Sequence, residues 1–320
     1  MTTPRPGDAA AGLGYADLEV DERTTPLADA PAVLRPEPET SAAAGVAGAL
    51  TRIEPSRGWA KIDLGELWHY RELLYFLTWR DIKVRYKQTL LGGAWAVLQP
   101  LLLMIVFSVF FGSVAKISSE GVPHPVFYYS ALLPWTYFAN SLTQAATSVT
   151  LTPDLITKVY FPRVTIPIGS VLSGLVDFSI ALCIYFGLAA YFGIYPGPET
   201  FLVLPLLALA LLAALGAGLV LAALNVKYRD VRYAVPFLVQ FWFFASPVVY
   251  PAMLLGEPWR TLFGLNPMTG VVEGFRSALL GTAVPGLGLT ILASAGVALL
   301  LVAAGLFYFR RVEDSFADVI

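Results

Sequence analysis

The sequence predicts an all-α integral membrane protein with six transmembrane helices, and three observations carry that expectation. Hydrophobic residues make up 57% of the 320 and charged residues only 14%, where a soluble domain carries about 25% charged residues. Mean hydropathy is +0.66. Apolar segments near the ~20 residues that a bilayer crossing requires recur from Leu91 to Phe309, and basic residues gather in alternate loops between them.

The chain opens differently. Residues 1–57 hold Pro4, Pro6, Pro26, Pro31, Pro36, Pro38 and Pro55 among Ala, Thr, Asp and Glu, with few aromatics. Such a segment cannot bury enough surface to offset its ordering entropy, so it is expected to be a disordered cytoplasmic tail. It lacks the basic and then apolar run of a secretory signal peptide.

Leu64 to Gln88 follows, mixing Leu67, Leu74 and Leu77 and the aromatics Trp68, Tyr70, Tyr75, Phe76 and Trp79 with charge at helical spacing. That pattern fits a helix lying in the membrane interface, with its basic residues reaching lipid phosphates. An amphipathic helix packed on the bundle fits it too. Both readings place it on the cytoplasmic face.

The expected spans are about 91–114, 126–149, 166–192, 201–224, 235–250 and 287–309. The second is aromatic in one half (Phe127, Tyr128, Tyr129, Trp135, Tyr137, Phe138) and polar in the other (Asn140, Ser141, Thr143, Gln144). Arg80, Lys83, Arg85 and Lys87 precede the first span, and Lys158 and Arg163 follow the second. Lys227, Arg229 and Arg232 follow the fourth, and Arg310 and Arg311 the sixth. The opposite loops are poorer in Lys and Arg, so both termini are expected in the cytoplasm.

Residues 251–282 are too long and too apolar for a simple loop. Asn266-Pro267 marks a helix start, Val271, Val272, Phe275, Leu279 and Leu280 form a stripe, and Glu273 and Arg276 lie one turn apart. Short re-entrant helices on the external side are expected; a surface amphipathic loop is the alternative.

Between the second and third spans stands "DLITKVYFPR", Asp154 to Arg163. Thr152 or Asp154 can cap a helix there, Pro162 ends it, and Leu155, Ile156 and Val159 share a face. A short rigid helix held between two spans suits docking into a groove on a soluble partner.

Much chemistry is missing. The sequence holds no GxxxxGK[ST] phosphate loop, GxSxG, HExxH or Cys/His pair at ligand spacing. One cysteine and two distant histidines give no metal site, and a net charge of −2 gives no case for nucleic acid. Asp177 is the one acid expected inside a span. With no Lys, Arg or second acid in the spans to form a relay, it reads as structural, bonded to Ser, Thr or backbone groups of a neighbouring helix.

Four stretches together resemble the ABC-2 type permeases: "LTWRDIKVRYKQTLLGGAWAVLQPLLLMIVFSVFFG" (Leu77 to Gly112), "DLITKVYFPR", "NVKYRDV" (Asn225 to Val231) and "LNPMTGVVEGFR" (Leu265 to Arg276). The resemblance runs from about residue 60 to the end and is strongest to exporters of polysaccharide and polyol-phosphate polymers, such as O-antigen and teichoic acid permeases. It implies a half-transporter in the bacterial plasma membrane: two copies form a channel and each binds one separate ATPase subunit, which holds the ATP and Mg. The chain itself is then no enzyme and needs no cofactor.

On that resemblance, Asp154, Leu155, Ile156, Lys158, Val159, Tyr160 and Arg163 form the coupling helix, and the helix over 64–88 makes a second contact with the ATPase or the lipid surface. Asn266, Pro267, Glu273, Phe275 and Arg276 belong to an external gate. The implied cargo is a glycan on a polyprenyl diphosphate lipid, or a polyol-phosphate polymer; a small lipid or drug, and an ion-coupled flippase, are the alternatives. A sugar chain needs a wet path whose walls bind weakly, and aromatic faces suit the C–H faces of sugars. Phe107, Phe110 and Phe111 on the first span, with Phe237, Phe241 and Phe244 at i, i+4, i+7 on the fifth, are candidates to line it across the dimer; lipid or packed core is the other reading. Arg80, Lys83, Arg85, Lys87, Arg229 and Arg232 are candidates for the diphosphate headgroup, although positive-inside topology alone also explains them.

Overall fold

The computed structural model describes residues 64–87, 92–117, 119, 121–195, 197–251, 256 and 259–316. The tail expected over residues 1–57 lies outside them. All regular structure among the described residues is helical.

The stretch expected as one helix over 64–88 is two, α1 (Leu64–His69) and α2 (Arg71–Lys87), parted by a turn at Tyr70. Helix α3 (Gly92–Phe107) runs into a π-helical segment, Ser108–Val114, whose wider turn is common at functional positions. Helix α4 (His124–Ser148) is followed by the short α5 (Pro153–Lys158) and by α6 (Thr165–Tyr191). A 3₁₀ turn, Pro198–Leu202, leads into α7 (Val203–Lys227), and a tight turn into α8 (Val231–Phe244). Then come α9 (Trp259–Gly264), α10 (Pro267–Leu280) and α11 (Leu287–Val312).

Four helical segments are long and apolar enough to cross a membrane: Val97–Val114, Thr165–Tyr191, Pro198–Lys227 and Leu287–Val312. Helix α4 has the length, with 25 residues, but carries a polar half. It can do so because it is the central helix, packed on by α3, α6, α7, α8 and α10. Helix α8 has 14 residues, about 21 Å at 1.5 Å per residue, short of a ~30 Å hydrocarbon core. It stops at a turn over 245–248 where a longer fifth span was expected.

The contacts define two ends. At one, α5 joins α4 to α6, and Arg163 donates to the Glu313 carbonyl beyond α11 and lies over the Phe316 ring. Asn225 near the end of α7 donates to the Ala146 carbonyl and to Thr150 of the α4 terminus. At the other end lies α10. Tyr185 of α6 donates to the Leu279 carbonyl at 3.1 Å, and Arg276 sits over the Phe127 ring at the start of α4, 4.2 Å from its centroid. The basic residues of α5, of the α7–α8 turn and of the end of α11 therefore share one end.

Helix α10 is no surface loop: twelve of its fourteen residues are buried. The Asn266 side-chain Oδ1 caps it by accepting from the Met268 N–H, and Gly281 closes it at φ 67°, a conformation glycine adopts at little cost. The six expected spans hold no Lys, Arg or second acid, but α10, which lies outside them, brings Glu273 and Arg276 into the interior of the bundle. Arg276 is 2% exposed, 3.7 Å from Glu273, and donates to the Pro247 and Val248 carbonyls at 3.1 Å each. A buried guanidinium is tolerable because a carboxylate, two carbonyls and an aromatic face share its charge.

Helix α2 packs lengthwise along the first half of α6. Gly169 permits the approach, since a Cβ there would already stand 3.3 Å from the Leu77 Cβ. Ser170 donates to Asp81 at 3.1 Å, and Arg85 reaches Asp177, Gln144 and Ser173. Tyr86 also donates to Asp177. Burial, then the hydrogen bond to Asp177 and its charge, hold the Tyr86 hydroxyl above its ordinary range, so it remains a donor. Asp177 is thus structural, but its partners are an arginine and a tyrosine of α2 rather than Ser, Thr or backbone groups.

Helices α7 and α11 meet at small residues: a Cβ on Gly305 would stand 2.4 Å from the Gly216 carbonyl oxygen. Gly305→Leu is therefore expected to destabilise the protein by about 1–3 kcal/mol or more, read as a lower thermal midpoint. Gly296→Leu, on the same helix but with open space around its Cβ, should leave the midpoint unchanged. Removing one partner of the Arg85–Asp177 pair, whose side chains are 22% and 18% exposed, should cost about 1–3 kcal/mol, below the range for full burial. Asp177→Ala is expected to be less stable than the double replacement Arg85→Met/Asp177→Leu, because the single change leaves the guanidinium without its carboxylate.

Candidate functional site

Helices α3, α4 and α8 enclose a groove of about 460 Å³. Its aromatic wall comes from all three: Phe107 and Phe111 of α3 and its π-helical extension, Trp135 of α4, and Phe243 and Phe244 of α8. Phe107 stacks on Phe243 with ring centroids 5.8 Å apart, and Trp135 meets the same Phe243 edge-on at 5.4 Å. Such ring pairs favour defined offset and edge-on geometries, so Phe243 fixes one wall.

The opposite character comes from amides. Gln99 of α3, Asn140 of α4 and Gln240 of α8 line the groove, and none of the three amides bonds to another described residue. Thr136 and Thr143 are also in the lining, but their hydroxyls turn back to the Leu132 and Ala139 carbonyls of α4 at 2.8 Å. Aromatic faces beside unpaired amides can take a polyhydroxylated ligand, stacking its C–H faces and bonding its hydroxyls while gripping neither strongly. Among the described residues no ionisable side chain lines the groove.

The six aromatics expected along a path divide. Phe107, Phe111 and Phe244 line the groove, whereas Phe110, Phe237 and Phe241 point away from the bundle at 60–72% exposure. The sequence reading missed Gln99, Asn140, Gln240 and Phe243 as lining residues. The available signal for two of them was a lone amide within an apolar run, Gln99 in "AVLQPLLL" and Gln240 in "FLVQFWFF", whereas Asn140 belongs to the polar half of α4.

The segment expected as a coupling helix forms a helix only over Pro153–Lys158, where Lys158 pairs with Asp154 at 2.7 Å. It stops before Arg163 because Val159 is extended (φ −131°, ψ 134°), Phe161 is drawn into the core, and the residue before Pro162 disfavours helix. Of the apolar face, Ile156 is buried and Leu155 half-buried. The exposed side chains of the segment are Pro153, the paired Asp154 and Lys158, Thr157, Val159 and Tyr160, with Leu151 beside them. Arg163 instead fastens the segment to the end of α11.

The six basic residues considered for a headgroup do not converge. Arg80 pairs with Asp81 at 3.0 Å, and Arg85 is turned into the bundle onto Asp177. Lys83 and Lys87 are exposed along a groove between α2 and α6. Arg229 and Arg232 share a separate cavity of about 400 Å³ with Thr147, Thr150 and Asn225, at the foot of α5 beside Pro153. Asn266, Pro267, Glu273, Phe275 and Arg276 lie together on α10 and its cap. Asn266 accepts from the Trp242 indole at 2.8 Å and donates to the Ala245 carbonyl, tying α10 to the end of α8.

Among the described residues no group of three or more His, Cys, Asp or Glu side chains comes together as a metal ion would need.

Comparison with known proteins fits this arrangement. The chain is 34% identical over 252 residues to an O-antigen export system permease protein of Myxococcus xanthus, covering 78% of this chain and 96% of that protein. It is 26% identical to an O-antigen export system permease protein of Klebsiella pneumoniae, covering 81% and 98%. It is 24% identical to a polysialic acid transport protein of Escherichia coli, covering 74% and 92%. Residues 72–280 match the ABC-2 type transporter family. With that match over most of its length, the chain belongs to the ABC-2 type transporter family, as a multi-pass membrane transport subunit and not an enzyme.

Proposed function

We propose that this chain is the permease of an ATP-driven exporter that carries a polyprenyl-diphosphate-linked polysaccharide, or a polyol-phosphate polymer, from the cytoplasm to the outer side of the bacterial plasma membrane. The observation that carries this reading is the groove of α3, α4 and α8, whose lining among the described residues is aromatic and unpaired amide, suits sugar and contains no charge. Conduction asks for binding strong enough to admit the cargo and weak enough to release it, and stacking with single neutral hydrogen bonds meets both needs. The names of the relatives support the cargo class.

The path is completed by a second copy. The exposed face of α8, with Phe237 and Phe241, together with Phe110, offers the aromatic surface that a homodimer would enclose. Six spans, counting α4 and α8 with its following turn, put both termini in the cytoplasm. The collection of Lys158, Arg163, Arg229, Arg232, Arg310 and Arg311 at the α5 end supports that orientation. Two ATPase subunits, holding ATP and Mg, dock on the exposed side chains of α5, one to each copy. Arg229 and Arg232 beside it are placed to meet the cargo diphosphate. On the far side α9 and α10 act as the external gate, joined to the end of the path-lining α8 through Asn266 and Arg276.

Two measurements test the reading. Val159→Asp and Tyr160→Asp alter exposed positions, so both variants should fold and reach the membrane while losing the copurifying ATPase subunit; retention of the ATPase by both would contradict the docking assignment. Asn140→Leu combined with Gln240→Leu keeps volume and removes two amides. Glycan export should fall about tenfold, the loss of ~1.4 kcal/mol of hydrogen bonding, with the ATPase still bound. Export at the parental rate would remove the groove from the path.

A further inference from the structure

Helices α2 and α6 leave a second groove between them, of about 490 Å³. Trp79, Ile82 and Tyr86 of α2 wall one side and Val176 and Ile180 of α6 the other, with Lys83 and Lys87 completing the lining. The two lysines are one helical turn apart and exposed. Asp81 of α2 and Asp177 of α6 are engaged elsewhere: Asp81 with Arg80 and Ser170, Asp177 with Arg85 and Tyr86. Among the described residues no carboxylate pairs with either lysine, and Lys83 rests over the Trp79 ring, 5.7 Å from its centroid. An open apolar groove beside two ammonium groups that pair with no described carboxylate, on a membrane-embedded chain, matches one ligand: a molecule with an anionic head and a hydrocarbon tail.

We propose that this groove holds an anionic membrane phospholipid, its phosphate on Lys83 and Lys87 and an acyl chain along Val176 and Ile180. Long lysine stems lie on apolar surface while their charges reach the headgroup, and each lysine near an anionic lipid contributes about a fivefold gain in binding. The lipid shares a wall with the polar contact that holds α2 on α6, because Tyr86 lines the groove and bonds Asp177. A filled groove therefore supports the packing of α2 on α6. The proposal needs only that the chain sits in a bilayer; it stands or falls independently of the glycan path.

Trp79 provides a local probe. The full-length protein is reconstituted in phosphatidylcholine nanodiscs carrying increasing fractions of bromine-labelled phosphatidylglycerol or bromine-labelled phosphatidylcholine. The Trp79 signal is taken as the difference between the parent and Trp79→Phe. Phosphatidylglycerol should quench that signal at a mole fraction ~25-fold lower than phosphatidylcholine does. The preference should vanish in Lys83→Gln/Lys87→Gln and persist in Lys116→Gln, which removes a cation at the other end of α3. Raising the salt concentration on the unmutated protein should shrink the preference, a test that does not depend on any variant folding. Equal quenching by the two lipids, or a preference untouched by the double substitution, would overturn the proposal. So would displacement of the labelled phosphatidylglycerol by a few equivalents of polyprenyl diphosphate, which would make the groove a cargo site instead.

Discussion

The packing of this protein is arranged around the need to keep a half-polar helix out of lipid. Helix α4 carries Asn140, Ser141, Thr143, Gln144 and Thr147 in its second half, and a helix facing hydrocarbon cannot afford such a run. Five other helices wrap it. Once enclosed, two of its polar side chains turn toward neighbours, Gln144 to Arg85 of α2 and Asn140 into the groove shared with α3 and α8, while the Thr143 and Thr147 hydroxyls bond back to carbonyls of α4 itself.

That arrangement makes α4 a rigid connection between the proposed coupling segment and the proposed path. Helix α5 follows α4 directly, with Ile156 buried as an anchor and Asn225 of α7 holding the α4 terminus. The Asp177 cluster and the groove are neighbours as well, since Gln99, Thr136 and Asn140 line both the groove and a small cavity of about 20 Å³ that reaches Asp177. At the other end α10 is tied to α8 by Asn266 and Arg276. On the proposed reading, a push on α5 acts on a chain of packed helices that reaches the groove.

Much of this was legible in the sequence, where the signal is local. Helices occupy each apolar segment, Asn266-Pro267 starts a helix, and proline punctuates the loop after α4 at both Pro153 and Pro162. What was not legible depends on which face a helix turns inward. The stripe Phe237, Phe241 and Phe244 is regular, yet Phe243, out of step with it, makes the central ring contacts. Arg276 was legible as a residue of a re-entrant helix one turn from Glu273, but its depth was not; only the fold brings Phe127 and two carbonyls around it. Arg85 looked like one more basic residue of an interface, since its partner Asp177 is 92 positions away.

The central claim is that this chain is a conduit without its own energy source, moved by a separate ATPase that grips α5. The direct measurement is translocation of lipid-linked glycan across proteoliposomes containing the purified chain, with and without an ATPase subunit and ATP, and with and without an imposed proton gradient. Movement should require the ATPase and ATP and be indifferent to the gradient. Uphill movement by the chain alone, driven by the gradient, would contradict the account.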